Sequence, residues 1–435
     1  MIFGKKQTYE TESVFKISGV PEHTYITRSE LDQKTARCLK SKDGIPLFLG
    51  YSKSGKTVFR KKSLDAKTDN TIVFRCNSQS SVTDLYSQIA SELNLGQLKT
   101  LSKSRTQEYG AEVGGKLGNE LLGEVSSNIS AGESKGVETV SEFDRTSIDV
   151  NFLCNRINSD DLLIILEDYH LANQKFNSVL SEDLKHFLDE EILFLLIGIP
   201  SSPDRSLRFN PDLAGRMVRI NFDYLTNEEI RELIAKGAEL LNVNFLEEVV
   251  NEIITCSMKN AYLVQFICRQ ILLDKGVSKT ASDKLAISDV ASVHGACRAI
   301  AEVLNGDYIS LYEIIHAGAR RQKVDKVYNQ YEEILLAIKH FDIEKLERGV
   351  DHKQITELTW AKFDPETVLK LVADGTYQSE ISFKNSLRSQ IRSAMDRVNE
   401  NLERKESRPV LYASDGKIYL TDLLFKFYVN WKTDL

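Results

Sequence analysis

A chain of 435 residues is long enough for two or three domains with cores of their own, and its net charge of −7 argues against a globally basic nucleic-acid binder, though not against a local basic patch. The opening MIFGKKQTYE lacks the apolar centre of a signal peptide, and no run approaches a membrane span, so the expected compartment is the cytoplasm and no membrane partner is expected. Six cysteines, Cys38, Cys76, Cys154, Cys256, Cys268 and Cys297, lie far apart without a C-x-x-C pair; they read as reduced, buried thiols, which argues against metal or redox use.

In chain order, Pro21 marks a turn, and Leu31, Ala36 and Leu39 lie on one face of an amphipathic helix. Ile45 to Lys61 then reads as a buried strand, a tight turn and the start of a helix. Gly50, Gly55, Lys56 and Thr57 fill the fixed positions of G-x-x-x-x-G-K-[ST], the P-loop. The glycines let successive backbone N–H groups, including those of Ser52, Lys53, Ser54 and Val58, turn toward phosphate oxygens, and the new helix adds its positive end. Lys56 is placed to reach the β- and γ-phosphates, and the Thr57 hydroxyl to ligate Mg²⁺.

Asn70 to Cys76 predicts a second strand, and Ser81 a helix N-terminus with Leu85, Ile89 and Leu93 on its apolar face. Residues 96–144 break the pattern with recurring glycines among Ser, Glu, Lys and Asn, and read as an insertion at the sheet's edge. Leu162 to Leu166 is a continuous apolar strand ending in Glu167 and Asp168, the Walker B arrangement, which sets carboxylates beside the P-loop. Glu167 is the candidate for the hydrated metal and Asp168 for orienting the attacking water; His170 either senses the γ-phosphate or caps the next turn. Ile192 to Pro200 is the next buried strand, followed by Ser201 and Ser202. Val218 to Phe222 is a last short one, and Arg216 just before it is the candidate arginine finger, acting in cis or from a neighbouring subunit.

From Thr226 the pattern is helical, opening on a capping box with Glu229. Helices around Phe245 to Ile254 and Tyr262 to Leu273 form a lid, and more helix runs through Ile287 to Lys339. The last part has a helix at Glu332 to Phe341, a short one near Lys353 to Thr359, a long one from Phe383 to about Arg404, and a hairpin turning at Ser414-Asp415-Gly416. That is the order of a winged helix. Lys384, Arg388, Arg392 and Arg397 either face duplex DNA or form the solvated side of a helix that docks to protein.

The segments VPEHTYITR, GYSKSGKT, LLIILEDYH, LLIGIPSS and AGRMVRINFDYLTNEEI, together with the winged-helix order, resemble STAND-type NTPases and the related AAA+ ATPases of origin-recognition proteins and transposition helpers. The resemblance implies an α/β P-loop NTPase core of parallel sheet flanked by helices (residues 1–222), a helical lid and connector (223–326) and a winged-helix domain (327–435). It also implies ATP and Mg²⁺ as cofactors, an adenine pocket lined by Tyr25, Ile26 and Arg28, and a sensor-1 role for Ser201 or Ser202. The activity implied is ATP hydrolysis by a slow or partner-stimulated switch, plausible in bacterial antiphage defence, which oligomerises or regulates a separately encoded effector. The alternatives are a DNA-binding ATPase that grips duplex DNA through the winged helix, and a scaffold that binds nucleotide without turnover. In place of the Gly-x-Pro turn of many STAND lids, this chain has Met258-Lys259-Asn260-Ala261-Tyr262, where Lys259 is a candidate substitute.

Overall fold

Runs of apolar residues four to six long, each bounded by turns, leave no polar face for solvent, and the chain stacks them into one parallel sheet covered on both sides. The computed structural model describes residues 7–64, 70–95, 97–99, 142–144, 148–157, 162–199, 213, 215–222, 224–317, 328–404 and 410–432. A single helical turn, α1 (Thr11–Val14), precedes α2 (Ser29–Ser41), β1 (Ile45–Leu49) and α3 (Lys56–Phe59), which continues as a π-helical turn over Arg60–Leu64. Then come β2 (Asn70–Arg75), α4 (Val82–Glu92), a short parallel pair of β3 (Gln97–Lys99) with β4 (Glu142–Asp144), α5 (Val150–Arg156), β5 (Leu162–Glu167), α6 (Gln174–Asp189), β6 (Leu193–Gly198) and β7 (Met217–Asn221). Most of the glycine-rich insertion expected over 96–144 lies outside the described residues.

The main sheet has the order β2-β5-β6-β1-β7, every neighbouring pair parallel. This is the α/β P-loop NTPase fold, with β1 and β5 delivering their carboxyl ends to the same edge and β6 between them. One core face is filled by Ile72, Leu85, Ile164, Leu180 and Phe187, the other by Phe48, Phe59, Ile165, Leu195 and Phe222. As expected from the sequence, the Ser81 hydroxyl caps α4 by accepting from the Asp84 N–H.

The lid follows as α7 (Asn227–Leu241), β8 (Val243–Phe245), α8 (Glu247–Cys256), α9 (Ala261–Asp274), β9 (Leu285–Ile287) and α10 (Val290–Ala317). Thr226 and Glu229 make the expected reciprocal capping box at α7. The C-terminal part comprises α11 (Gln330–His340), α12 (Ile343–Arg348), β10 (Val350–Asp351), α13 (His352–Trp360), α14 (Pro365–Ala373), α15 (Glu380–Arg404), β11 (Leu411–Ser414), β12 (Lys417–Leu420) and α16 (Leu423–Trp431). Its sheet runs β10-β12-β11, antiparallel, with α11, α13 and α15 packed together, which is how a winged helix arranges these elements. The wing turns through Asp415 and Gly416, both at positive φ as a tight hairpin requires.

The sequence expectation and the structure compare as follows at two places. The helical stretch expected over Ile287 to Lys339 is α10 and α11, with 318–327 outside the described residues. The N-terminal residues Val14, Phe15 and Ile26 belong to the lid's core, which runs on without a break into that of the C-terminal part. Phe15 lies against Gly237 of α7, where an added Cβ would stand 2.3 Å from its ring, so this helix face must be bare.

Lys426, buried on α16, donates to the carbonyls of Ile338, Lys339 and Phe341 at 2.6, 3.4 and 2.9 Å and so closes the C-terminal end of α11. Replacing it with methionine leaves those carbonyls without their donor and is expected to lower stability to denaturant by about 1–3 kcal/mol. Burial pushes the Lys426 ammonium down to about 8 from 10.5, so the unfolded chain holds this proton more tightly. The lysine's contribution therefore becomes more favourable as pH rises from about 8 towards 10.5, a rise that Lys426→Met should lack in denaturation curves taken across that range.

Candidate nucleotide-binding site

The turn after β1 carries the constraints that the motif's glycines meet. A Cβ on Gly50 would stand 2.6 Å from Ser54 Oγ and 3.1 Å from Phe222, and Gly55 has φ +94. Lys53 also adopts a left-handed conformation, φ 64, so the loop coils tightly before α3 begins at Lys56. Lys56 is buried, and its Nζ donates to Gly50 O and Tyr51 O, both at 2.7 Å, and to Ser54 Oγ at 3.3 Å. The ammonium is thus held inside the loop by the backbone that forms it. Thr57 is exposed at the helix start, with Val58 half-buried beside it.

A cavity of about 410 Å³ opens over this loop. Ser52, Lys53, Ser54, Gly55, Lys56, Thr57 and Val58 form one wall, with Glu167 and Asp168 from the end of β5. Tyr25, Ile26 and Arg28 form another, and α9 contributes Ala261, Tyr262 and Gln265. The volume suits a small ligand, and the chemistry of the walls, a glycine-bent N–H turn with a lysine on one side and apolar or aromatic groups on the other, fits a nucleotide with Mg²⁺.

The two acids at the end of β5 differ in surroundings. Glu167 is buried, with Oε1 3.1 Å from Arg60 Nε and Oε2 3.4 Å from Arg75 Nε. Arg60, itself buried, sits one turn after Lys56, so the helix that starts at the P-loop is bolted to the Walker B strand by an ion pair. Asp168 is exposed, at φ 55, and its carboxylate enters no ion pair among the described residues. The Asp168 charge is felt nearby: burial first and then Asp168 push the Cys76 thiol up to about 12, keeping it neutral. His170 sits in a short turn after Asp168, where burial holds its imidazole below the ordinary value, and its Nδ1 has no hydrogen-bond partner among the described residues.

Arg28 is a clasp as well as a wall residue. Its Nη2 donates to Tyr224 O at 2.7 Å, its Nε lies 3.5 Å from Glu229, and the guanidinium covers the Phe222 ring at 5.6 Å. Arg216 is not brought to the cavity. It precedes β7 at the amino end of the sheet, beside Ile45, and pairs with Asp189 at 2.9 Å. Parallel strands put the P-loop at the opposite end. Ser201 and Ser202 lie outside the described residues.

Several residues at or beside the cavity escaped the sequence reading because their partners are remote in the chain. Tyr51, inside the P-loop motif, is buried, and its hydroxyl reaches Leu420 O at the end of β12 at 3.5 Å. The turn between α8 and α9 presses on the loop: Asn260 Nδ2 lies 3.5 Å from Lys53 O, and Lys53 Nζ covers the Tyr262 ring at 5.3 Å. Lys259, singled out from the sequence, instead gives its carbonyl to the Leu225 N–H at 2.9 Å. Gln265 donates to Thr24 Oγ1 at 2.6 Å, Thr24 donates onward to Val14 O at 3.0 Å, and the amide Oε1 has no hydrogen-bond partner among the described residues.

No known protein-family profile matches the chain. No curated protein matches it either. Among solved structures, it is similar to the Walker-type ATPase PABY2304 of Pyrococcus abyssi, at 12% identity and TM-score 0.46 over 96% of this chain and 99% of that one. It is also similar to the RuvB Holliday junction branch migration motor of Thermotoga maritima, at 11% identity and TM-score 0.37 over 94% and 96%. A third is the Aeropyrum pernix ORC1 protein in complex with DNA, at 13% identity and TM-score 0.39 over 98% and 97%. At such identities and scores these likenesses carry no residue roles across, and none is carried.

The Arg60–Glu167 pair gives a direct test of how the P-loop helix is fixed. Arg60→Met leaves a buried carboxylate with only the exposed Arg75 as partner and is expected to cost about 3 kcal/mol in chemical denaturation. Arg60→Met combined with Glu167→Leu removes both charges and should recover most of that loss.

Proposed function

We propose that this chain is an ATP-binding, slowly hydrolysing switch of the AAA+ or STAND kind, in which the state of the P-loop sets the posture of the lid and winged helix and thereby regulates a separately encoded effector, with self-assembly as a step. The observation that carries this reading is Tyr51. It belongs to the phosphate-binding turn, its carbonyl is held by Lys56 at 2.7 Å, and its hydroxyl meets the C-terminal sheet at Leu420. A Lys56 drawn toward phosphate lets go of the Tyr51 carbonyl, so the residue most sensitive to nucleotide is the one that touches the winged helix.

In this reading the backbone N–H groups of the loop from Gly50 to Val58 cradle the phosphates, Lys56 neutralises them, and Thr57 with Glu167 holds hydrated Mg²⁺. The metal supplies charge neutralisation at the β- and γ-oxygens. Asp168, exposed at the cavity, orients the attacking water. Glu167 can serve on the metal side only by loosening Arg60, and breaking a buried pair in each cycle accounts for slow turnover. Arg216 would reach a phosphate only from a neighbouring copy.

A DNA-gripping reading draws on Arg392 and Arg397, exposed on α15, with Arg392 close to the wing turn at Gly416. Against it, Lys384 and Arg388 are already engaged by Glu357, at 2.6 and 4.0 Å. The deciding measurement is steady-state ATP hydrolysis with and without duplex DNA, with Lys56→Ala as the blank. Slow hydrolysis that vanishes in the variant and ignores DNA is the expected result. Stimulation of tenfold or so by DNA, lost at raised salt and in Arg392→Ala/Arg397→Ala, would replace the switch with the DNA-bound ATPase. Absence of nucleotide binding altogether would overturn both.

A further inference from the structure

Away from the nucleotide cavity, the lid gathers three side chains whose ligand atoms can hold a borderline metal ion together, with a second cysteine nearby. Glu252 and Cys256 are four residues apart on α8, and His294 and Cys297 three apart on α10, spacings that set each pair on one helix face. Where the helices meet, Glu252 Oε1 lies 2.7 Å from His294 Nε2 and 3.2 Å from Cys256 Sγ, and the ligand atoms of all three lie within 4.8 Å of one another.

We infer that Glu252, Cys256 and His294 form a binding site for one zinc-class divalent cation. Bond lengths of about 2.0–2.3 Å around a tetrahedral ion put ligand atoms about 3.3–3.8 Å apart, inside the spread the three atoms already span. One sulfur, one imidazole nitrogen and one carboxylate oxygen suit Zn²⁺ and do not suit Mg²⁺ or Ca²⁺, which take oxygen. Glu252 and His294 are partly exposed, so an ion can enter from solvent, while Cys256 and Cys297 are buried beneath them. The His294 ring also lies 5.2 Å from that of Trp431 on α16, so a cation here would fasten two lid helices beside the end of the winged-helix part.

A cysteine ligates as the thiolate, so binding displaces its proton: M²⁺ plus Cys–SH gives M–S(Cys)⁺ plus H⁺. Affinity therefore rises with pH.

The test titrates the chelator-stripped, full-length chain with Co²⁺, reading thiolate-to-cobalt charge-transfer absorption and quenching of tryptophan fluorescence, and then displaces Co²⁺ with Zn²⁺. The expected result is one ion per chain, a charge-transfer band that disappears in Cys256→Ser, and a loss of affinity above about 100-fold in His294→Gln. Saturating Zn²⁺ should also raise the melting temperature of the wild type and leave that of His294→Gln unchanged. Circular dichroism confirms that each variant is folded, and the half-exposed His294→Gln keeps the question open should Cys256→Ser fail that check. Absence of the charge-transfer band, or Co²⁺ binding that His294→Gln leaves intact, would overturn the inference.

Discussion

The Lys56 ammonium sits in a knot of backbone carbonyls and a serine hydroxyl, and the rest of the molecule is arranged around what holds that knot. A buried cation needs oxygen around it, and the turn between β1 and α3 supplies it by folding Gly50 and Tyr51 back over the helix start. The folding-back is possible only because position 50 has no Cβ and position 55 takes a positive φ. Once coiled, the loop points Tyr51 away from the sheet and into the core shared by the lid and the C-terminal elements.

The second constraint is the buried Arg60–Glu167 pair. It couples the helix leaving the P-loop to the strand that carries the acids, across 107 residues of chain. A pair removed from solvent contributes little net stability, because desolvation offsets the attraction, but it is costly to break on one side. It therefore acts as a geometric lock between the two halves of the site and sets the carboxylate at position 167 apart from its exposed neighbour, Asp168.

Around these fixed points hydrogen bonds join the lid to the C-terminal part, in addition to their continuous core. Tyr308 donates to Asp422 at 2.8 Å and Tyr428 to Asn305 at 2.6 Å, tying α10 to the segment at α16, while Tyr224, just before the lid, donates to Glu347 on α12. Arg28 and Asn260 then connect the lid to the core at the cavity's rim. A displacement of the loop thus has more than one hydrogen-bonded route to the C-terminal part.

Much of this was legible in one dimension. Continuous apolar runs name β1, β5 and β6 because a doubly covered strand has no polar face, and the P-loop spacing places its turn because only those residues permit that backbone. The caps at Ser81 and Thr226 and the wing at Asp415-Gly416 are local chemistry and needed no neighbours. What the sequence could not determine is which side chains meet across long stretches of chain. Nothing in the sequence ties Arg60 to Glu167 or Tyr51 to Leu420; folding alone brings each pair together. Arg216 reads as a finger until the parallel sheet carries it to the end away from the P-loop. The cysteines show no metal spacing in the chain, because helix packing, which brings α8 against α10, assembles their cluster with Glu252 and His294. Local geometry is set by each residue's own backbone and neighbours, whereas charge pairing and ligand sets depend on distances that only the packed tertiary structure decides.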